Sequence, residues 1–358
     1  MWLLLLILCI TSPQSLAETI PASDSRITYV GRTQVQDSSV SFDWTATTIR
    51  VRFVGKRLTA RISDTGRNRY NVYIDRSQSA HPDAIVETQG DTTLVLYKGK
   101  RGEHEITLIK RTEGEQGRTT VHSFTASSFL PATPHRPWIE YIGDSYSCGY
   151  GSDGADSTAR FAMETESVCK AFPMMVADSL QMDAIVIAHS GMGIIRNYNS
   201  KFTGWTMPLR YLHTFDMDST DASLWYPQSY VSIPQMTIVC LGGNDFSVGV
   251  VPDRSAFVQG YIALLQQIKA NYGTNHPILC CVKVHDQLLT QYVAQVVDQS
   301  GMTNVEFLPF NQQDYLPNGH FRGADSHPNE YAHQRLARHV IAKLNSIGWL
   351  YKGNGQSN

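Results

Sequence analysis

The chain reads as an all-β domain followed by an α/β domain with a parallel, doubly wound sheet. Three observations carry this: a switch in hydrophobic period near residue 130, a proline-rich stretch at the switch, and strand–helix alternation after it. The length of 358 residues leaves room for two domains.

From Arg26 to about Phe129 the residues fall into short alternating runs broken by turn residues. TIRVRFVG (48–55), RLTARIS (57–63), YNVYID (70–75), TTLVLYKG (92–99) and HEITLIKR (104–111) alternate with period two. That is the pattern of half-buried strands, and their regular spacing predicts a sandwich or barrel over residues 24–130. Pro131, Pro134 and Pro137 then stiffen the chain, marking 131–137 as a hinge.

Beyond the hinge, over 138–350, the alternation disappears. WIEYIG (138–143), AIVIAHSG (184–191), MTIVCLGG (236–243), PILCCVKV (277–284) and VEFLPF (305–310) are continuous apolar runs, as expected of strands covered on both faces. Between them Phe257, Tyr261, Leu264, Ile268 and Tyr272 recur at helical spacing, with Gly273 as terminator. Leu289, Val293 and Val296 repeat the pattern, and a last helix opens at Pro328 and Asn329 and stops at Gly348. Strand–helix alternation implies right-handed crossovers and a parallel sheet, whose ligands sit beyond the carboxyl ends of the strands.

Composition bounds the function. The chain has 42% hydrophobic and 17% charged residues, and 30 Lys+Arg against 32 Asp+Glu give a net charge of −2. Nothing in that balance points to nucleic acid or an anionic membrane, and the expected partner is neutral or small. The opening run MWLLLLILCI, then TSPQS and Ser15-Leu16-Ala17, reads as a secretory signal peptide cleaved after Ala17, giving a secreted or periplasmic protein. The apolar run is too short for stable membrane insertion. Among the cysteines that remain, Cys240, Cys280 and Cys281 lie in apolar runs as buried thiols, while Cys148 and Cys169 flank a polar loop and are candidates for a disulfide. No Cys/His spacing indicates a metal, and no cofactor motif is present.

Four loops at predicted strand ends carry reactive groups. Ser145 follows Gly143-Asp144 in a turn that would present its hydroxyl to the crevice. Gly191, in His189-Ser190-Gly191, can bring a backbone N–H close to a reacting carbonyl. Asn244, in Gly242-Gly243-Asn244-Asp245, offers an amide donor. His327, held between Ser326 and Pro328, supplies a base near neutral pH for a hydroxyl that is a poor nucleophile alone. Each loop taken singly is as easily an ordinary turn; the set of four, in order, is the signal.

The order GDS, Gly loop, GGND and D-x-H-P resembles the SGNH (GDSL-like) hydrolases over residues 138–350. With the N-terminal β-domain, the runs GDSYSCGYG and HSGMGIIRNY are similar to carbohydrate esterase family 2, as are VGRT, ARISDTGRNRYNVYID and HEITLIKRTEG. The resemblance implies a jelly-roll sandwich ahead of an SGNH domain with a flavodoxin-like sheet. It also implies a serine esterase that removes O-acetyl groups from plant polysaccharides such as xylan and mannan. Carried onto this chain, it makes Ser145 the nucleophile and His327 the base, with an oxyanion hole of the Ser145 N–H, the Gly191 N–H and the Asn244 side chain.

One position departs from the general SGNH pattern, because Ala324 stands three residues before the histidine and the acid, Asp325, only two. Either the Asp325 carboxylate orients His327, or a backbone carbonyl near Ala324 does so in a Ser–His dyad; the dyad is favoured. For sugar contacts, Trp225 is the leading candidate, followed by Tyr150 and Arg196, with Tyr198, Trp205 and Tyr226 nearby. Rival readings are a short-chain lipase or thioesterase on the same scaffold and a non-catalytic carbohydrate-binding protein.

Overall fold

A computed structural model describes residues 17–75, 81–200, 204–230, 232–284 and 287–350. The expected signal peptide, apart from Ala17, lies outside the described residues.

The N-terminal part is all β, as expected. The separate short runs of the sequence join into two 27-residue strands, Thr48–Ile74 and Ala84–Lys110, which pair antiparallel along most of their length. The register shifts between Gly55 and Arg57, Leu58 and Thr59, and Asp64 and Arg67. Such irregularities let a long strand bend and turn its apolar face inward around one core. Strand Thr119–Ala126 pairs antiparallel with Glu18–Pro21, Ser39–Phe42 and the middle of Thr48–Ile74. Phe42, Phe53, Leu58, Ile62, Val72, Leu108 and Phe124 fill the interior.

The second part carries five parallel strands in the order Asp183–Ala188, Trp138–Gly143, Met236–Cys240, Ile278–Val284, Val305–Asn311. In chain order that is 2-1-3-4-5, the flavodoxin-like arrangement. Helices Phe172–Ser179 and Glu330–Ser346 cover one face through Phe172, Val176, Leu336 and Val340. Helices Arg254–Tyr272 and Gln287–Ser300 cover the other through Phe257, Tyr261, Leu265, Val293 and Val296. Burial on both faces explains why these strands read as unbroken apolar runs. The last helix is capped by Asn329, whose side chain accepts from the Tyr331 and Ala332 N–H groups. The reversal of strand order lies between Trp138–Gly143 and Met236–Cys240, so their carboxyl ends open the crevice where ligands bind.

The two parts share apolar packing. Val30 and Trp44 belong to one α/β cluster, and Ala46, Tyr73 and Ile109 to the other. Buried ions join them as well: Arg50 forms a two-pronged pair with Asp183 at 2.5 and 2.9 Å. Breaking such a pair from one side strands a buried charge and typically costs about 3–5 kcal/mol. The proline stretch is tied to both parts, since Thr133 O accepts from the Thr28 hydroxyl and Pro137 O from the Asp183 N–H.

Cys148 and Cys169 form no disulfide; with Cys240, Cys280 and Cys281 they are free and buried. Both pack in the apolar cluster under the sheet as small apolar side chains.

Candidate active site

Ser145 stands where the central strand Trp138–Gly143 ends. Gly143 is required there, because a Cβ would collide with the Ser147 hydroxyl. Asp144 caps the following turn by accepting from the Tyr146 N–H at 3.1 Å, and Gly149, left-handed at φ 77°, ends it. The Ser145 Oγ thereby lies 3.0 Å from Nε2 of His327.

His327 arrives from a loop stitched to the loop behind Ser145: the Ala324 N–H donates to Gly151 O at 3.0 Å, and the Asp325 N–H to Ala159 O at 2.8 Å. Asp325 and Ser326 both take left-handed backbone conformations, at φ 48° and 62°. Two consecutive non-glycine residues in that region are costly and cluster at functional sites. His327 Nδ1 lies 3.3 Å from the backbone carbonyl of Asp325. A carbonyl only accepts, so this contact places the proton on Nδ1 and leaves the Nε2 lone pair for the Ser145 hydroxyl. Burial lowers the pKa of His327, and the nearby Lys283 charge lowers it further.

The Asp325 carboxylate points elsewhere. It accepts from the Phe161 N–H at 2.9 Å, the Tyr150 hydroxyl at 3.0 Å and Arg160 at 3.1 Å. The Phe161 bond is the main reason its pKa falls below the usual carboxylate value. Of the two arrangements left open by the sequence, the geometry is that of a carbonyl-oriented histidine, the carbonyl near Ala324 being that of Asp325.

Gly191 has φ 79° and faces the same cleft as Ser145. Neither its N–H nor that of Ser145 has an acceptor among the described residues. The Gly191 loop is fixed from two sides. Asp245, from GGND, accepts from the Ile194, Ile195 and Arg196 N–H groups at 2.8–3.0 Å. Glu113, from the β-rich part, accepts from the N–H and hydroxyl of Ser190. Asn244 also lines the cleft, its amide nitrogen 2.8 Å from Met192 O and 3.2 Å from Asp144 Oδ2.

These groups open into one cleft of about 1150 Å³, walled by Glu115, Tyr150, Arg160, Tyr198 and Phe246. Of the three leading sugar-contact candidates, Tyr150 lies on it, stacked on Phe161 at 4.2 Å and against His327 at 4.4 Å. Trp225 does not reach it: only 7% exposed, it packs on Tyr230 at 4.8 Å, and the Arg32 guanidinium sits 3.8 Å above its ring. Arg196 is spent on structure, donating to the carbonyls of Ser200, Asp245 and Ser247. Sequence reasoning missed Glu113, Glu115, Arg160 and Lys283. Only Lys283 left a signal, as a charge inside the apolar run PILCCVKV. Among the described residues no cluster of three or more His, Cys, Asp or Glu is arranged to hold a metal, and no helix is long and apolar enough to cross a membrane.

Comparison with known proteins defines the class. Residues 141–335 match the GDSL-like lipase/acylhydrolase family, and residues 29–134 match the carbohydrate esterase 2 N-terminal family. The chain is 30% identical over 350 residues to an acetylxylan esterase / glucomannan deacetylase of Cellvibrio japonicus, covering 94% of this chain and 93% of that protein. It is 30% identical over 346 residues to the cellulase/esterase CelE of Acetivibrio thermocellus, covering 93% of this chain and 41% of that longer protein. Among solved structures, a family two carbohydrate esterase from Clostridium thermocellum, in complex with cellohexaose, superposes with a TM-score of 0.81. It is 29% identical, and the match covers 90% of this chain and all of that one. A second, from Cellvibrio japonicus, gives 0.81 at 25% identity over 94% of this chain and 99% of that one. The chain belongs to carbohydrate esterase family 2, and is a carboxylic ester hydrolase.

Proposed function

We propose that this enzyme removes O-acetyl groups from plant-type polysaccharides or oligosaccharides, through an acyl-enzyme on Ser145 with His327 as base. The observation that carries the reading is the 3.0 Å contact between the Ser145 hydroxyl and His327 Nε2 at the floor of an open, polar cleft.

In the first step His327 Nε2 takes the Ser145 proton as Oγ attacks the ester carbonyl carbon. The carbonyl π pair moves to oxygen, and the oxyanion is met by the Ser145 N–H, the Gly191 N–H and Asn244. Collapse expels the sugar oxygen, which takes the proton from His327, and leaves acetyl on Ser145. Water, deprotonated by the same nitrogen, then attacks the acyl carbon; Ser145 leaves with that proton and acetate is released. The growing positive charge on His327 is stabilised by the Asp325 carbonyl at Nδ1.

The cleft favours a short acyl group on a carbohydrate over a long chain, since its walls are mixed Glu115, Tyr150, Arg160 and Tyr198 instead of an apolar groove. Export through the N-terminal signal would place the enzyme where such glycans occur. The test is acetate release from acetylated xylan, acetylated glucomannan and acetylated monosaccharides, by wild type and Ser145→Ala. Release by the wild type that is lost in the variant is expected; no release from any of them would refute the reading.

A further inference from the structure

Asn244 cannot serve an oxyanion without changing partners. Its amide nitrogen carries two hydrogens, and two acceptors lie in reach: Met192 O at 2.8 Å and Asp144 Oδ2 at 3.2 Å. The longer bond, to Asp144, is the one to give up. What that costs depends on what else holds the carboxylate.

Lys283 holds it. It rises from the end of strand Ile278–Val284, only 7% exposed. Its ammonium lies 3.0 Å from Asp144 Oδ2, the same oxygen that Asn244 touches, and 3.4 Å from Oδ1. The Tyr146 ring, with its centroid 3.9 Å away, covers the ammonium from another side. The other oxygen of Asp144 also accepts from the Tyr146 N–H. Burial is the largest single influence and opposes the lysine's charge. The Asp144 carboxylate together with Cys240 and Tyr315 outweighs it, so the pKa of Lys283 is raised above its ordinary value. Oδ2 therefore keeps a charged donor when Asn244 leaves. Were Lys283 replaced by an apolar side chain, the Asn244 hydrogen would be the sole partner of that buried carboxylate oxygen, and charge-assisted bonds of that kind are the strong ones.

We propose that Lys283 is a positioning residue that frees the Asn244 amide for the oxyanion by occupying Asp144 Oδ2. This rests on the assignment of Asn244 as an oxyanion donor. It places the effect in the transition state, so kcat and not KM should respond.

The test is a double-mutant cycle on a short-chain aryl ester with wild type, Lys283→Met, Asn244→Ala and the double variant, folding being checked by thermal melts. Asn244→Ala is expected to lower kcat by about 10²–10³-fold. Lys283→Met is expected to lower kcat by about 10-fold or more, with KM within about twofold. The double variant should be no worse than Asn244→Ala alone, because both losses pass through one amide. Independent, multiplying losses would overturn the proposal while leaving Asn244 as a donor. A silent Asn244→Ala would overturn that assignment and the proposal with it. If Lys283→Met does not fold, Lys283→Met combined with Asp144→Asn removes both charges and keeps a capping side chain at 144. That pair should exceed the kcat of the same pair carrying Asn244→Ala by at least about 10-fold; equal rates would overturn the proposal.

Discussion

Glu113 spends both carboxylate oxygens on Ser190, one on its N–H and one on its hydroxyl, each at 2.5 Å. The first residue stands just beyond the long strand Ala84–Lys110 of the β-rich part, and the second precedes Gly191 in the α/β part. Lys110 secures Glu113 in turn, its ammonium donating to the Glu113 carbonyl at 2.8 Å. The β-rich part thus reaches the proposed oxyanion hole directly.

Glu113→Ala should therefore do more than weaken the fold. Leaving the Ser190 N–H and hydroxyl without their acceptor costs at most about 1–3 kcal/mol per group, less where water reaches half-buried Ser190. The Gly191 N–H, no longer held in line, should also lower kcat about 10-fold with KM little changed. Melting curves and ester kinetics on one preparation separate the two effects. A lowered melting temperature with kcat intact would make the brace purely structural.

The contact from the Asp325 carbonyl to His327 Nδ1 predicts unequal effects at neighbouring positions. His327→Ala removes the base and should cost about 10²–10⁴-fold in kcat/KM. Asp325→Asn keeps the backbone carbonyl and an oxygen for the Phe161 N–H, and gives up an ion pair with Arg160, which is itself 91% exposed. Exposed pairs contribute little, so the expected loss is under about 10-fold. Matching losses would mean that the Asp325 side chain orients the histidine after all.

The pH profile follows from the same histidine. His327 must be neutral to take the Ser145 proton, and burial together with the Lys283 charge lowers its pKa below the ordinary 6.5. The acid limb of kcat/KM should thus have its midpoint below 6.5. Stability has the same sign: burial holds His276 at about 4 and His333 at about 3 in the folded state, while the unfolded chain binds protons near 6.5. Their contribution is fully present above 6.5 and is lost progressively as pH falls through 6.5 toward 3. Following kcat/KM and melting temperature together across pH 4–8 distinguishes the limbs. An acid midpoint above 6.5 on folded protein would contradict the assignment of His327.

The parallel sheet and the four loops at its carboxyl ends were legible in the sequence because they obey local rules. Strands covered on both faces are unbroken apolar runs, and Gly143 and Pro328 mark where the chain must turn. The β-rich part was legible as alternation but not as long bent strands, since the shifts near Gly55 and Asp64 are properties of pairing. The site was legible only as far as its motifs extend. Glu113 lies 77 residues from Ser190 in sequence and has no local pattern to reveal it. The direction of the Asp325 carboxylate depends on Phe161 and Tyr150, and the letters D-x-H-P are the same whichever way it points.

The five described cysteines predict indifference to redox conditions. All are free and buried, and burial raises the pKa of each thiol, keeping it from the reactive thiolate form. Native protein should resist a thiol reagent over minutes, should label fully once unfolded, and should melt at the same temperature with and without dithiothreitol. A reductant-dependent drop in melting temperature would reveal a disulfide.

Trp225 offers the sharpest separation of core from cleft, because an exposed-looking loop sequence, DASLWYP, hides a buried ring. Its neighbour Arg32, fully enclosed, stacks on that ring, donates to the carbonyls of Tyr211 and His213, and lies 3.7 Å from the buried Glu140. Trp225 thus covers an ion pair that links the β-rich part to the central strand. Removing it would open a cavity and wet the guanidinium, and large-to-small changes of this kind cost about 3–5 kcal/mol. Trp225→Ala should lower the melting temperature markedly, and below that temperature KM for oligosaccharide should equal that of the wild type. Trp225→Phe should recover much of the stability, since a smaller aromatic face still meets the guanidinium. A variant that melts normally but binds oligosaccharide poorly would put Trp225 back on the glycan.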